Sequence, residues 1–298
     1  MNLGALEDEV QTKIGTRSLL EIVAFVTQKQ PTLWGSQQGG DFVKINVMLI
    51  LYKDLHAIGY GRVLKMCRLP ISFSQVSFQH NARIIRPIFK QWAATVINLG
   101  DSVAWNVAKR RCDFPDGLTS TNLWIDSSDF SIQCPSGPRR KNPYYSHKNL
   151  GLARRYMMLA DARGHIRKIW GGYSPKVYDG HFLEIHREWI EANLAGGVVV
   201  GDCHFSAGRN MFKNVSFLTP HAKKRIPRNV DGEGLVQLTK EQKKWNASLA
   251  HVRARIEQPF GWMKSTFKCL NQKWAEEPTQ QDNVVWLAAA VLNIKKEL

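Results

Sequence analysis

The chain has 298 residues, of which 44% are hydrophobic and 22% are charged. This length and composition allow one large or two smaller globular domains with a substantial core. Lys and Arg number 41 against 25 Asp and Glu, for a net charge of +16. A surplus of that size favours a polyanionic partner, either nucleic acid or an acidic membrane surface.

The apolar pattern disfavours the membrane alternative. The longest apolar stretch runs from Val284 to Leu292, far short of the roughly 20 residues that a spanning helix needs. The acidic N-terminus also lacks the form of a signal peptide. Five scattered cysteines without a CxxC pair predict reduced thiols rather than disulfides or a zinc site. We therefore expect an intracellular protein with no membrane partner; its cysteines are Cys67, Cys112, Cys134, Cys203 and Cys269.

Residues 1–110 have a mainly helical pattern, with apolar residues at helical spacing and a Gly-rich, polar loop predicted at 28–41. The region 47–92 contains a helix that stops at Gly59, a short helix, a turn and a longer helix that Pro87 should end or kink. This order fits a helix-turn-helix and a plain helical bundle equally well. In the first interpretation, the second helix and its end would carry Arg83, Arg86 and Lys90.

The pattern changes after residues 111–120, where Pro and Gly predict a linker. Short β-branched or apolar runs bounded by Gly, Asp and Pro then alternate with two amphipathic segments of helical spacing. The order strand, strand, strand, helix, strand, strand, helix predicts an α/β fold with a mixed sheet over residues 121–298. The predicted strands are 122–126, 156–161, 165–171, 198–200 and 216–219, and the helices are 180–194 and 240–267.

Three carboxylates occupy informative places in this domain. Asp126 and Asp202 each follow a short apolar strand, and sites in α/β sheets form at strand ends. Glu257 lies at the edge of the apolar stripe of the long helix, one turn after Arg253. Carboxylates from two strand ends and a facing helix could hold two Mg²⁺ or Mn²⁺ ions, as in-line phosphodiester cleavage requires.

Each of these residues also has a simpler interpretation. Asp126 could be a turn residue, with Asp129 as the ligand, and Asp202 could cap the following segment. Glu257 could form a surface ion pair with Arg253. Asp179, which precedes the helix at 180–194, fits a helix cap or a fourth acidic group. The argument for a metal site therefore depends on the combination.

Several segments together resemble a known family. The chain from about residue 121 onward is similar to the DDE superfamily endonucleases of Harbinger-type transposases and related bacterial insertion-sequence transposases. The last matching segment is the most specific, because the family pattern of Asn, Arg, Glu, Phe-Gly and Lys is present in it. The matching segments are LWIDSSDF (123–130), KVYDGHF (176–182), VVVGDCHF (198–205), FLTP (217–220) and WNASLAHVRARIEQPFGWMK (245–264).

The resemblance implies an RNase H-like fold and a catalytic, metal-binding triad of Asp126, Asp202 and Glu257. It implies cleavage of double-stranded DNA at transposon ends and joining of the 3′-hydroxyl ends to target DNA. It also favours the helix-turn-helix before the catalytic domain and assembly as a homo-oligomer on DNA. A separate DNA-binding accessory protein could take part as well. Such a protein would work in the nucleus of a eukaryote or the cytoplasm of a bacterium. Pro259, two residues after the Glu, departs from a regular helix and could kink it.

Basic side chains near these motifs are predicted to contact phosphates. They form stretches at 139–148 and 223–228 and positions on two helices, although a charge run can also be a solvated loop. Two rival functions remain open, a domesticated protein that binds DNA without cutting it and a nuclease without strand transfer. The predicted DNA-contacting residues are Arg83, Arg86, Lys90, Arg139, Arg140, Lys141, Lys148, Lys223, Lys224, Arg225, Arg253 and Lys264.

Overall fold

A computed structural model describes residues 2–29, 39–67, 74–110, 114–115, 118–133, 142–222 and 238–297. These residues form a helical N-terminal region followed by a mixed sheet flanked by helices, in agreement with the α/β prediction. The helices are α1 (Leu3–Ile14), α2 (Thr16–Lys29), α3 (Gly39–His56), α4 (Tyr60–Cys67), α5 (Gln75–Val96), α6 (Ser102–Lys109), α7 (Asp179–Ile185), α8 (Arg187–Asn193), α9 (Gly208–Met211), α10 (Lys240–Thr266) and α11 (Pro278–Glu297).

The sheet has the order β2–β3–β1–β5–β6, and β4 also pairs with β3. β3 runs antiparallel to β1, β2 and β4, whereas β5 runs parallel to β1 and to β6. The predicted hairpin is present as β3 and β4, and Gly164 in its turn has a φ of 74°, which favours glycine. The strands are β1 (Leu123–Ser131), β2 (Tyr145–Ser146), β3 (Gly151–Asp161), β4 (Ile166–Tyr173), β5 (Val198–Val200) and β6 (Ser216–Leu218).

Alternate side chains of the central strands enter two separate hydrophobic clusters, because successive residues of a strand point to opposite faces of a sheet. On one face, Trp124 and Met158 share a cluster with Ile256 of α10 and with α11. On the other face, Ile125 and Met157 pack with the side chains of α6, α7 and α8. The first cluster continues into the N-terminal helices, where α5 packs along α11.

One helical prediction is wrong. The segment 180–194 is not one helix: it divides at His186 into α7 and α8, and Ile185 is half exposed. Of the two outcomes expected at Pro87, an end of the helix is excluded, since α5 continues to Val96. The long helix α10 continues through Pro259 to Thr266, one residue short of its predicted end. Tertiary packing explains this tolerance, since the residues around both prolines lie on buried helix faces.

Several predictions fall on residues outside those described. They are the turn at 69–72, most of the loop at 28–41 and most of the linker at 111–120. The helix-turn-helix and the boundary between two domains therefore stay predictions. Cys67, Cys203 and Cys269 are free thiols. Among the described helices, none has the length and apolar character to cross a membrane.

Candidate active site

Asp126 lies within β1, on the face that α10 covers. The prediction that the strand ends at Asp126 is wrong, because β1 continues to Ser131 in register with β3. The neighbours of Asp126 in the strand, Leu123 to Ile125, are buried and hold the backbone in place. The amide of Ser127 donates a hydrogen bond to its Oδ1 over 2.8 Å. Burial raises the pKa of Asp126 to about 6; the Ser127 amide and Arg253 oppose this rise, and Asp202 and Asp179 add to it. Asp126 is therefore a half-buried carboxyl group among other acids.

Asp202 follows β5 at the corresponding level of the sheet. Leu123 lies opposite Val199, and Trp124 lies opposite Val200, so continuing this parallel register by two residues brings Asp202 opposite Asp126. The amide of His204 donates to Asp202 Oδ1 over 2.8 Å, which caps the short 3₁₀ turn at 203–205. The cap predicted as an alternative is thus present, and it orients the carboxylate beside Asp126.

Asp129, the alternative ligand on β1, is already engaged by other side chains. Arg155 donates to its two carboxylate oxygens over 2.7 and 3.2 Å, and the Ser146 hydroxyl donates over 2.7 Å. The Asp129 side chain is almost fully buried in this arrangement. We therefore assign Asp129 a structural role, and the sequence did not reveal Arg155 as its partner.

Glu257 does not form a metal-holding group with the two aspartates in this structure, since no three of the described His, Cys, Asp or Glu side chains do so. Its side chain is 59% exposed, and one of its oxygens is 3.5 Å from Nη2 of Arg253. Arg253 also interacts electrostatically with Asp126. The surface ion pair considered as an alternative is therefore formed, and Arg253 interacts with both Glu257 and Asp126.

Two side chains fix α10 on the sheet. Asn246 forms a pair of hydrogen bonds with the backbone of His221, which follows β6, over 2.8 and 2.9 Å. Lys264 donates to the hydroxyl of Ser128 over 2.8 Å and to the carbonyl of Asp129 over 3.1 Å. Both residues belong to the most specific motif, but their role as anchors was not evident from the sequence. They attach the helix on both sides of Glu257, to His221 after β6 and to β1.

Asp179 begins α7 and is close to the same site. Tyr178, and not Asp179, occupies the N-cap position. Burial raises the pKa of Asp179, and repulsion from Asp202 raises it further, whereas Arg155 and a hydrogen bond from Ser127 oppose the rise. Its Oδ1 is buried and has no hydrogen-bond partner among the described residues. Of the two interpretations left open, the fourth acidic group is the one that this position favours.

The donors present fit a hard divalent cation in their chemistry, because such ions prefer carboxylate oxygens and an orphaned buried oxygen is available. The side chains do not yet form a coordination shell: among the described residues, no three His, Cys, Asp or Glu side chains converge on a point that could hold a metal ion. Asp126, Asp179 and Asp202 interact electrostatically with one another, and Glu257 is paired with Arg253.

The predicted DNA-contacting residues differ widely in their surroundings. Arg83 and Lys148 are exposed, and Lys90 lies half-buried with its ammonium 5.8 Å from the ring centre of Trp286. Arg86 is fully buried and forms an ion pair with Asp54. It therefore has a structural role, and the prediction that it contacts DNA is wrong because the side chain is not accessible. Arg253 and Lys264 face inward. The stretches 139–141 and 223–225 lie outside the described residues.

A mixed sheet that carries a half-buried acid within β1 and another just after the parallel strand β5 is of the class of α/β proteins whose sites form beside parallel strands. A family model described as DDE superfamily endonuclease matches residues 125–293, more than half of the chain. The chain belongs to this family, and its substrate class is therefore DNA. No curated protein and no solved structure matches the chain. The resemblance drawn from the sequence motifs is confirmed.

Proposed function

We propose that this protein cleaves DNA phosphodiester bonds at transposon ends and joins the freed 3′-hydroxyl ends to target DNA. The observation that carries the proposal is the electrostatic interaction of Asp126 with Asp202, each of which lies two residues beyond the last paired residues, Trp124 and Val200, of neighbouring parallel strands. Two acids so placed repel each other, and a shared divalent cation would relieve that repulsion. Membership of an endonuclease family supports the same conclusion.

Asp126 and Asp202 would hold two Mg²⁺ or Mn²⁺ ions, and Glu257 would complete the set by turning away from Arg253. Bound ions of this kind activate the attacking oxygen and stabilise the leaving oxygen. The protein itself would set the geometry of the site. β1 and β5 position the two aspartates, and the hydrogen bonds of Asn246 and Lys264 position α10. The attacking group is water and then the 3′-hydroxyl, so no covalent intermediate with the protein is expected.

We further propose an RNase H-like fold for residues 121–298 and a helix-turn-helix made by α4 and α5. The first proposal is supported by the antiparallel strands β4, β3 and β1 beside the parallel strands β5 and β6, with α10 across the site. The second is supported by the exposed first turn of α5, where Val76, Ser77 and His80 point to solvent. Recognition helices read bases with residues of that turn.

DNA binding is proposed to use the exposed basic side chains. Burial lowers the pKa of Lys264, and repulsion from the nearby Lys148 lowers it further. The charge of Lys148 therefore lies near Lys264, which bonds to the backbone of Asp129. Arg83 and Lys90 on α5 are the second group. Assembly as a homo-oligomer on DNA, the help of an accessory protein and the nuclear or cytoplasmic location remain proposals of the same kind.

A nicking assay tests the enzyme proposal. Supercoiled plasmid is incubated with the protein and Mg²⁺ or Mn²⁺, and the expected result is open-circular product. Asp202→Asn should abolish it, because the amide keeps an oxygen for the His204 amide but loses the charge that a cation needs. Glu184→Gln is the matched control, since Glu184 is an exposed acid on α7. Nicking that is absent from wild type, or equal in Asp202→Asn, would contradict the proposal and favour a domesticated DNA-binding protein.

A second assay separates transposase from simple nuclease. Pre-cut transposon-end duplexes are mixed with a target plasmid, and joined product indicates strand transfer. The positions of the joints also give the target duplication. If the wild type nicks plasmid but forms no joined product with its own ends, the nuclease without strand transfer becomes the better description.

A further inference from the structure

Asp179 has a buried carboxylate oxygen for which the fold offers no partner. Asp179 is only 6% exposed, and its Oδ1 has no hydrogen-bond partner among the described residues. The hydroxyl of Ser127 donates to the same carboxylate, so α7 is joined to β1 beside Asp126. Burying an unpaired carboxylate oxygen is unfavourable, and this arrangement therefore indicates a missing partner.

The surroundings of Asp179 show what kind of partner is missing. Asp202 repels its carboxylate, and Asp126 is affected by both acids. Arg155 is a counter-charge for Asp179, but it is already bonded to both oxygens of Asp129. Arg253 is a counter-charge for Asp126, but it is also paired with Glu257. These two arginines near the three acids are therefore shared with other carboxylates. A divalent cation supplies the compact positive charge that such a group needs.

We infer that Asp179 is a fourth metal-ligating carboxylate, which binds a divalent cation together with Asp126 and Asp202. This inference rests on the proposed function, because it concerns the same metal site. In the metal-free arrangement the three acids interact electrostatically, but no three of the described acidic, His or Cys side chains converge on one point, so a bound cation would draw Asp126, Asp179 and Asp202 together. Glu257 on α10 is an exposed side chain paired with Arg253, and it would join them only after leaving that partner.

A purely structural role for Asp179 makes different predictions. As the first residue of α7, an acid stabilises the helix through its dipole. In that case Asp179→Asn would lower the melting temperature of the metal-free protein and leave metal affinity unchanged. In our interpretation the substitution removes a repelling charge, and the amide still accepts the hydrogen bond from Ser127. The melting temperature without metal should therefore stay the same or rise.

The test is isothermal titration of the full chain with MnCl₂, and it does not depend on activity. Wild type should bind Mn²⁺, Asp202→Asn should lose binding, and Asp179→Asn should bind at least about tenfold more weakly. Glu184→Gln, on the same helix but exposed, should bind like wild type. The increase in melting temperature on adding Mn²⁺ should follow the same order. Should Asp179→Asn not fold, Asp179→Ser takes its place with the same expected loss.

The outcomes distinguish the two proposals. Failure of wild type to bind Mn²⁺ would overturn the metal site itself and with it this inference. Binding that Asp202→Asn abolishes but Asp179→Asn leaves intact would overturn the inference alone. An equal loss in Glu184→Gln and Asp179→Asn would also overturn it, because the effect would then reflect net charge and not a ligand.

Discussion

Asp126 should make the stability of the metal-free protein depend on pH. Its pKa in the folded state is about 6, above the ordinary value, so the folded state holds this proton more tightly than the unfolded state. Stability is then greatest at low pH and is lost as pH rises through the folded pKa. Between about pH 4 and pH 7 the loss from this group should be roughly 2 kcal/mol.

Urea unfolding with EDTA measures this loss as the difference between wild type and Asp126→Asn. The variant keeps an oxygen for the Ser127 amide but cannot ionise, so it should become the more stable protein toward pH 7. Other titrating groups affect both proteins equally. If the free energies of unfolding of the two proteins change with pH in the same way, then Asp126 is not buried among acids as described.

Local patterns in the sequence reveal some features of this region and not others. The position of Asp202 just after β5 follows from a short apolar run, whereas β1 continues past Asp126 through its pairing with β3. The electrostatic interaction of the two aspartates follows from the parallel order of β1 and β5. The pairing of Arg155 with Asp129 joins residues on different strands, and no local pattern encodes it. The burial of Asp179 depends in the same way on how α7 packs against β1.

At the level of elements, the attachment of α10 should matter more for activity than the stability of its first turn. Thr239 and Gln242 form a capping box at its start, and Thr239→Ala should cost about 1 kcal/mol. Asn246→Ala removes two hydrogen bonds to His221 and should cost about 2 kcal/mol. Because Asn246 also positions the helix, its loss should reduce nicking far more than the loss of Thr239.

Chemical denaturation gives the two stabilities, and plasmid nicking is compared at a temperature where both variants remain folded. Asn246→Asp offers a third comparison, since it keeps the acceptor for the His221 amide and loses the donor. It should give intermediate nicking. If all three variants nick in proportion to their stability, then Asn246 holds the fold together without setting the position of α10.

Long elements with a regular apolar pattern were predicted better than the points at which a helix is interrupted. The apolar stripe predicted from Trp245 to Phe267 is buried from Leu249 onward, whereas Trp245 is only partly buried. The strand β5 has the predicted bounds. The division of the predicted helix at His186 was missed, because His186 contacts Tyr173 of β4 through a 2.7 Å hydrogen bond. The helix α11 was also missed, since it is apolar nearly all round and lacks the periodicity of a surface helix.

At the scale of the molecule, the net charge of +16 predicts binding to duplex DNA that weakens steeply with salt. A protein that contacts six to ten phosphates loses about 10³- to 10⁵-fold in affinity between 50 and 200 mM salt. Fluorescence anisotropy with a labelled duplex measures the slope. Lys148→Gln should reduce the slope by about one, and an affinity that ignores salt would argue against phosphate contacts as the main source of binding.

A buried ionic network joins the N-terminal helices to the segment before α11. Arg86 of α5 contacts Asp54 of α3 and Glu276, each over 2.5 Å. Lys53 and the hydroxyl of Tyr60 also bond to Glu276, over 2.6 and 2.8 Å. Burial alone would raise the pKa of Glu276, but Arg86 and Lys53 lower it to about 2. The network therefore holds α3, α4 and α5 on the rest of the chain.

Removing Arg86 should break this ionic network and lower the free energy of unfolding by a large amount. Arg86→Met keeps an apolar stem but leaves the fully buried Asp54 with one described ion pair, the 3.6 Å contact with Lys53. Breaking a buried ion pair costs about 3–5 kcal/mol, and because Lys53 remains we expect about 3 kcal/mol. Arg83→Met is the matched control on the same helix: Arg83 is 63% exposed and 3.9 Å from Glu277, so its loss should change stability by less than about 0.5 kcal/mol. Denaturant unfolding measures both. Equal, small effects would mean that the N-terminal helices are held by their hydrophobic contacts with α11 alone.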